Sequence, residues 1–370
     1  SRNQLQSRRC GERNRCVSGG DGGCVPAAQG GWTTVSRIGS RGCARGLCSA
    51  PWYQEHLEME NKQHKPPRSP PEVKPSILNS PGVVSVDSMS RESLCEHLAK
   101  NVVYMAGPLV AINKPQGLPI TGNTEGNSVM SVLSELQRTL QIKSELHVVK
   151  AAPKESSGLV LLSSCHVTTK KFEDFYSECR RSERPLATFW AVTLGVPSPP
   201  KGDIKVALKV ETIGDLDLVA PEMHPSKGSL ERRDVKRTET RYQVLRSAVG
   251  CSLLQLQPMS VFREQLLVHC TLQFCPILGD HTYSSRVAKV LGQNIFVPLD
   301  LATPRPQRIE EQILRRMRVP EQKVHRIPLH LHLQQLLMPD DPSAAHPTHL
   351  TAPPPPYFQR TMELLRLKMK

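Results

Sequence analysis

The chain has 370 residues, enough for one large domain with tails or for two modest domains. Its net charge of +14 predicts a polyanionic partner such as RNA, because clustered lysine and arginine release counterions when they meet phosphates. The apolar runs stay short of the roughly 18 residues that a membrane-spanning helix needs, so we expect no membrane span.

The first 57 residues are predicted to be a disordered mitochondrial leader. Residues 1–50 hold eight arginines, no lysine and two acids, a composition typical of a transit peptide, which predicts a location in the mitochondrial matrix. Residues 58–88 include HKPPRSPPEVKPS and are predicted to be a Pro-rich linker. We expect a folded domain at 89–340, followed at 341–370 by a Pro-rich tail and a basic C-terminal helix.

Within the domain, apolar runs and periodicities predict alternating groups of strands and helices. Helices are predicted around Leu94–Leu98, at 128–141, around 172–179 and around 309–317. Strands are predicted at 108–112, 158–164, 187–195, 251–258, 264–276 and 328–337, with surface strands and a loop at 200–240. Runs of strands with helices against one side indicate an α+β domain.

The histidine and cysteine patterns predict no metal site. His330 and His332 share one face of a predicted strand without a third ligand nearby, so we expect them to be packed at the edge of the core. His269 is expected to be a hydrogen-bonded core histidine. The six cysteines of the domain show no CxxC spacing and lie among apolar residues, which favours free, mostly buried thiols.

Three segments, in the right order over roughly residues 105–340, together resemble the RluA-type pseudouridine synthase family. LVAINKPQGLPIT resembles its opening strand and KPxG turn, and KESSGLVLLSS resembles the run that follows its catalytic aspartate. LQLQP, QLLVH and PILGDHTY resemble its third motif. The resemblance implies a central, mostly antiparallel sheet with flanking helices and an RNA cleft. It also implies isomerisation of uridine to pseudouridine without a cofactor.

The resemblance also shows three departures at the expected active site. Aligned on Ser157 and Gly158, Pro153 stands where the family keeps its catalytic aspartate. Phe189 replaces the tyrosine that sits against the flipped base, and Leu267 replaces the arginine that would pair with the aspartate. We expect Phe189 and Leu267 to line the uridine pocket. Losing an acid together with its basic partner indicates a relaxed site, because either alone would be a poorly paired charge.

The reaction needs a carboxylate beside the ribose, as nucleophile or as proton acceptor, while uracil leaves C1′, rotates and rejoins through carbon. Glu155 is the candidate substitute in the same loop, and a solvated loop charge is the alternative for it. Asp280 is expected to cap the turn after Gly279, and Glu264 to pair with its neighbour Arg263.

Basic residues near these motifs are candidates for contact with the RNA backbone. They are Lys114, Lys154, Arg180, Arg181, Arg184 and Arg263. For Lys114 a structural role in the KPxG turn is the alternative. For the arginines at 180, 181 and 184 the alternative is a solvated helix end.

Two functions from different classes remain open at the level of sequence. The first is a pseudouridine synthase that acts on mitochondrial mRNA or rRNA and supports mitochondrial translation. The second is a catalytically inactive RNA-binding scaffold or ribosome-assembly factor with the same fold. Both predict mitochondrial RNA as partner, with other RNA-processing or ribosome-assembly proteins, and fold alone does not choose between them.

Overall fold

The structure is a computed structural model that describes residues 76–83, 85–122, 126–339 and 348–369. The predicted leader at 1–57 lies outside the described residues, as does most of the predicted linker. None of the helices in the described ranges is long and apolar enough to cross a membrane.

Seven α-helices and several 3-10 turns lie in the described ranges. The α-helices are α1 Arg91–Lys100, α2 Leu133–Thr139, α3 His166–Arg181, α4 Lys227–Glu231, α5 Gln265–Leu272, α6 Glu311–Met317 and α7 Pro356–Leu364. The 3-10 turns are Ile77–Asn79, Val86–Ser88, Met130–Val132, Ser284–Arg286, Leu299–Leu301 and Glu321–Arg326. The predicted helix at 128–141 is thus a 3-10 turn followed by α2.

Thirteen strands are found in the same ranges. They are β1 Val102–Ala106, β2 Leu109–Lys114, β3 His147–Ala151, β4 Ser157–Ser163, β5 Ala187–Leu194, β6 Lys201–Ile213, β7 Leu216–Glu222, β8 Val235–Ala248, β9 Cys251–Pro258, β10 Val287–Val290, β11 Gln293–Phe296, β12 Leu331–Leu337 and β13 His349–Thr351. The strands predicted near 108, 158, 187, 251 and 328 are confirmed within a few residues.

Eleven of the strands form one mostly antiparallel sheet, which confirms the predicted α+β fold class. The order is β1-β2-β4-β12-β5-β9-β8-β6-β7, with β3 also paired to β4 and β13 to β12. The pair β4–β12 is parallel. The hairpin β10–β11 forms a separate two-stranded sheet.

Helices cover both faces of the sheet, and the prediction of helices on one side was wrong. Leu159 and Leu161 of β4 pack in the cluster that contains Phe172 of α3. Val160 and Leu162 of the same strand pack with α1 and α2. Because successive side chains of a strand point to opposite faces, the uninterrupted apolar run in β4 reflects burial on both sides.

The segment 264–276 is an α-helix at its centre, not the predicted strand. Residues Gln265–Leu272 form α5, and all but Leu272 are buried. A short helix that is apolar all round cannot be distinguished from a buried strand by periodicity, which explains the error. The change matters for the site, because neighbouring side chains on a helix diverge by about 100° rather than alternating between two faces.

The folded unit extends beyond the predicted limits of 89 and 340. Ile77 and Val86, in the predicted linker, are buried against the core. At the other end, β13 pairs with β12, and Tyr357 and Phe358 of α7 are almost fully buried. The predicted C-terminal helix therefore exists, but it is part of the domain's core rather than of a tail.

Candidate active site

A cavity of about 300 Å³ opens beside the turn between β3 and β4. Its other walls come from the first residues of β5 and from the segment that joins β9 to α5. Four residues predicted from the sequence line it: Pro153, Glu155, Arg180 and Phe189. The structure therefore brings together the altered aspartate position, the candidate substitute acid, the stacking ring and one cation.

Lys114 holds the β3–β4 turn in place. Its Nζ donates hydrogen bonds to the backbone carbonyl oxygens of Ser156 at 2.6 Å, Pro115 at 3.3 Å and Lys154 at 3.4 Å. The side chain is 1% exposed, and burial lowers the pKa of Lys114 to about 7. Of the two roles predicted for Lys114, this geometry favours the structural role in the turn, because its ammonium is enclosed by carbonyl groups of the protein.

The same turn is closed by backbone hydrogen bonds. The Ser156 N–H donates to the carbonyl of Pro153 at 3.2 Å, and the Gly117 N–H donates to that of Lys154 at 2.9 Å. Pro153 itself is exposed. A short turn fixed at both ends gives residues 153 and 155 defined positions at the cavity wall.

Glu155 is the one carboxylate among the described residues that line the cavity. It is half-buried, and burial raises the pKa of this carboxyl above the usual value. The negative charge of Glu264 raises its pKa further, whereas a backbone hydrogen bond, Lys114 and Arg263 lower it. The alternative of a fully solvated loop charge does not fit this environment.

Glu264 has a structural environment beyond the predicted pairing with Arg263. The predicted pair is present, with Arg263 Nε 3.4 Å from Glu264 Oε1. In addition, the Tyr283 hydroxyl donates to Glu264 Oε2 and accepts the Val219 N–H at 2.9 Å. These contacts hold Glu264 at the start of α5, where its charge influences Glu155.

The two predicted uridine-pocket residues differ in position. Phe189 of β5 lines the cavity and also packs in the main core at 5% exposure. Leu267 is not among the lining residues and packs in the main core at 5% exposure. On α5 the cavity is lined instead by Gln265 and Leu266. The sequence placed Leu267 at the pocket by alignment with the family's arginine, and in the structure helix α5 directs this side chain to the core.

The remaining predicted RNA contacts are exposed and differ in their neighbours. Lys154 is exposed on the turn between β3 and β4, and Arg184 is exposed in the segment after α3. Arg181 pairs with Glu178 at 2.7 Å on the solvated helix face. Arg263 also donates to the Asp217 carbonyl at 3.2 Å. Of the six candidates, Arg180 is the one that lines the cavity.

Sequence reasoning missed Lys150, a second cation of the cavity wall. It lies on β3, and burial together with the charge of Arg180 lowers the pKa of Lys150. The β-branched pair Val148 and Val149 could have indicated a strand, and the position of Lys150 three residues before Pro153 could have marked it as a neighbour of the turn. The wall formed by Met259, Ser260 and Phe262 carries no signal in the sequence, because it depends on how the loop folds back.

The predicted structural roles of the buried polar residues are confirmed. The His269 ring nitrogens lie 2.9 Å from the Thr238 and Thr240 hydroxyls. His332 Nδ1 lies 2.9 Å from Ser157 Oγ, and Asp280 accepts the N–H groups of Thr282 and Tyr283 at 2.9 Å each. The described residues contain no group of three His, Cys, Asp or Glu side chains that could hold a metal.

The model of the RNA pseudouridylate synthase family matches residues 108–272. The chain belongs to this family. It is 46% identical over 291 residues to mouse mitochondrial mRNA pseudouridine synthase Rpusd3, covering 78% of this chain and 84% of that protein. It is 30% identical over 292 residues to bovine pseudouridylate synthase RPUSD4, mitochondrial, covering 75% of this chain and 72% of that protein. The solved structure of human RNA pseudouridylate synthase domain containing 4 superimposes with a TM-score of 0.59 at 26% identity. The match covers 75% of this chain and 98% of that chain.

Proposed function

We propose that this chain isomerises uridine to pseudouridine in RNA, with Glu155 supplying the carboxylate that residue 153 lacks. The observation that carries the proposal is the position of Glu155. It is a half-buried acid on a hydrogen-bonded turn, in the wall of a cavity that Phe189 also lines. A carboxylate with a raised pKa in a partly dry cavity suits charge stabilisation and proton transfer.

The proposed reaction is balanced within the nucleoside. The bond between N1 of uracil and C1′ of the ribose breaks, the base turns in the cavity, and a bond forms between C5 and C1′. A proton leaves C5 and N1 gains one, so no co-reactant is required. The Glu155 carboxylate stabilises the positive charge at C1′, by bonding to it or by accepting a neighbouring proton. Phe189 stacks on the flipped base, and Lys150 and Arg180 hold the adjacent phosphates.

We propose mitochondrial mRNA as the substrate and the mitochondrial matrix as the location. The support is the 46% identity to a mouse protein named a mitochondrial mRNA pseudouridine synthase, together with the Arg-rich composition of residues 1–50. Other RNA-processing or ribosome-assembly proteins of the organelle are the proposed partners. Protease protection of tagged protein in isolated mitochondria and mitoplasts tests the location. Digestion in intact mitochondria would contradict it.

The test of substrate and reaction uses purified full-length chain with separate mitochondrial mRNA and rRNA fractions. Pseudouridine is then mapped chemically at single-nucleotide resolution. We expect new sites in the mRNA fraction that disappear with Glu155→Gln. If wild type, Glu155→Gln and Pro153→Asp all leave uridine unchanged while binding RNA in a salt-dependent way, the protein is an RNA-binding scaffold instead.

A further inference from the structure

A second cavity, of about 490 Å³, adjoins the candidate active site. Strands β6 and β8, the segment after β7 and the end of α3 form its walls. Three residues line both cavities, namely Arg180, Met259 and Ser260. The second cavity is larger than the 300 Å³ cavity assigned to the uridine, so it has room for another nucleotide.

The acids in the lining of the second cavity are already paired within the protein. Each of the three carboxylates lies within 4 Å of a cation, and the pairs are Glu239–Lys205 at 3.4 Å, Glu222–Lys209 at 2.9 Å and Glu183–Arg241 at 3.8 Å. Each pair lets a cation offset the repulsion that its carboxylate would exert on a phosphate. The acids therefore do not prevent an anion from entering.

Two arginines of the lining are left without an acidic partner. Arg180 donates to Ser177 Oγ at 2.9 Å, and neither Arg180 nor Arg237 forms a salt bridge within the described part of the chain. Both side chains are exposed, so solvent and ligands reach them. An arginine can bind a phosphate through two parallel hydrogen bonds. Because Arg180 lines both cavities, it lies where the phosphate that joins two nucleotides would pass from one cavity to the other.

Apolar side chains at the rim add a surface on which bases can pack. Met223 lines the second cavity and is 70% exposed, and Val261 lines the first cavity and is 57% exposed. Pro225 and Met259 are half-buried in the second cavity. Thioether side chains pack favourably against rings. Apolar side chains beside arginines suit single-stranded RNA, because the faces of its bases are free, whereas those of a duplex are already stacked.

We propose that the second cavity binds an unpaired nucleotide next to the target uridine. The phosphate that links the two nucleotides lies at Arg180, the base packs on Met223 and Pro225, and Arg237 binds the following phosphate. The inference rests on the proposed function, because the first cavity must hold the uridine. It adds a requirement on the substrate, since two consecutive nucleotides must leave the stack.

The first experiment measures the affinity of the full-length chain for labelled RNA hairpins by fluorescence anisotropy. The reference hairpin carries the target uridine in its loop, and in two others the 5′ or the 3′ neighbour of the uridine is abasic. We expect one abasic hairpin to bind wild type about tenfold more weakly, the factor that one packed base contributes. Met223→Ser should bind the reference hairpin as weakly and lose nothing further with the abasic one. The matched control Met105→Ser, at an exposed methionine of β1, should behave like wild type.

The second experiment tests the phosphate contact of Arg237. Affinity for the reference hairpin is measured over a range of salt concentrations. In Arg237→Gln the log–log salt slope should become shallower by about 0.7, the value for one phosphate contact on a single strand. Arg246→Gln, at an exposed position of the same strand, should leave the slope as in wild type. An unchanged slope in Arg237→Gln would overturn this contact.

Pseudouridine formation is scored in the same hairpins, which separates the failure of one proposal from that of the other. If the abasic and variant effects appear without conversion, the second site stands and isomerisation is contradicted. If uridine is converted but wild type binds all three hairpins equally, isomerisation stands and the second site is overturned. Additive losses from Met223→Ser and the abasic neighbour would also overturn it, because the base would then pack elsewhere.

Discussion

Pro153 and Glu155 lie on one turn at the cavity wall, and the proposed function assigns the carboxylate role to the second of them. Residue 153 is exposed and uncharged, whereas the acid two residues later is half-buried in the cavity wall. The sequence predicted both residues correctly as members of one loop. It could not predict the environment of Glu155, because Glu264 and Lys114 reach it only through the fold.

A pH profile tests the environment of Glu155. Activity needs the ionised carboxylate, and the raised pKa of Glu155 places the acidic limb above the usual 4.5 of a glutamate. Glu264→Gln removes a negative charge that raises this pKa, so the limb should move to lower pH. The control Glu173→Gln, on the exposed face of α3, should leave it in place. A limb that ignores Glu264→Gln would contradict the predicted coupling.

Replacing Lys114 distinguishes a role in stabilising the turn from a role in binding RNA. Lys114→Met removes a donor from three carbonyl oxygens, of which the Lys154 oxygen keeps the Gly117 N–H, so we expect the free energy of unfolding to fall by about 1–3 kcal/mol in chemical denaturation. The salt slope of RNA binding should not change. Lys154→Met is the matched control on the exposed side of the turn, and we expect it to weaken RNA binding without loss of stability. A shallower salt slope in Lys114→Met would restore it as a phosphate contact.

Among the secondary-structure elements, the strands were easier to predict than the helix α5. The apolar runs of β4, β5 and β9 are bounded by polar or turn residues and were placed within a few residues. Helix α5 is too short and too uniformly apolar for its period to show, so the segment was predicted to be a strand. Leu267 was placed at the pocket by alignment with the family's arginine, and nothing in the sequence marked Leu266 as a lining residue.

The parallel contact between β4 and β12 should tolerate no side chain at Gly158. Its φ is +121°, and a Cβ there would lie 2.3 Å from the Leu333 carbonyl oxygen. We expect Gly158→Ala to lower the free energy of unfolding by more than about 4 kcal/mol, because backbone must move. Gly107→Ala also has positive φ but meets nothing within 4 Å, so its cost should be about 1–2 kcal/mol. Equal costs in denaturation would show that the close approach is unimportant.

Considering the whole molecule, the order of the motifs predicted the sheet and the family, but not the limits of the domain. Proline-rich stretches at both ends suggested a linker and a tail. In the structure Ile77, Tyr357 and Phe358 share one buried cluster. Contacts between residues so far apart in the sequence leave no local sequence pattern, so the sequence did not predict them.

The C-terminal helix α7 should contribute to global stability. Phe358 is 0% exposed, and Phe358→Ala is expected to lower the free energy of unfolding by about 3–5 kcal/mol through loss of burial and a residual cavity. The exposed neighbour Gln359→Ala should cost less than about 1 kcal/mol. Denaturant titrations compare the two. A small effect of Phe358→Ala would mean that α7 is an appendage, as the sequence had suggested.

The most direct measurement of the proposed chemistry is conversion of one uridine in a defined mitochondrial mRNA hairpin, quantified by mass spectrometry at excess enzyme. We predict that wild type converts it, that Glu155→Gln binds the hairpin without converting it, and that Pro153→Asp/Glu155→Gln regains part of the activity. Conversion by Glu155→Gln at the rate of wild type would contradict the assignment of the carboxylate to Glu155.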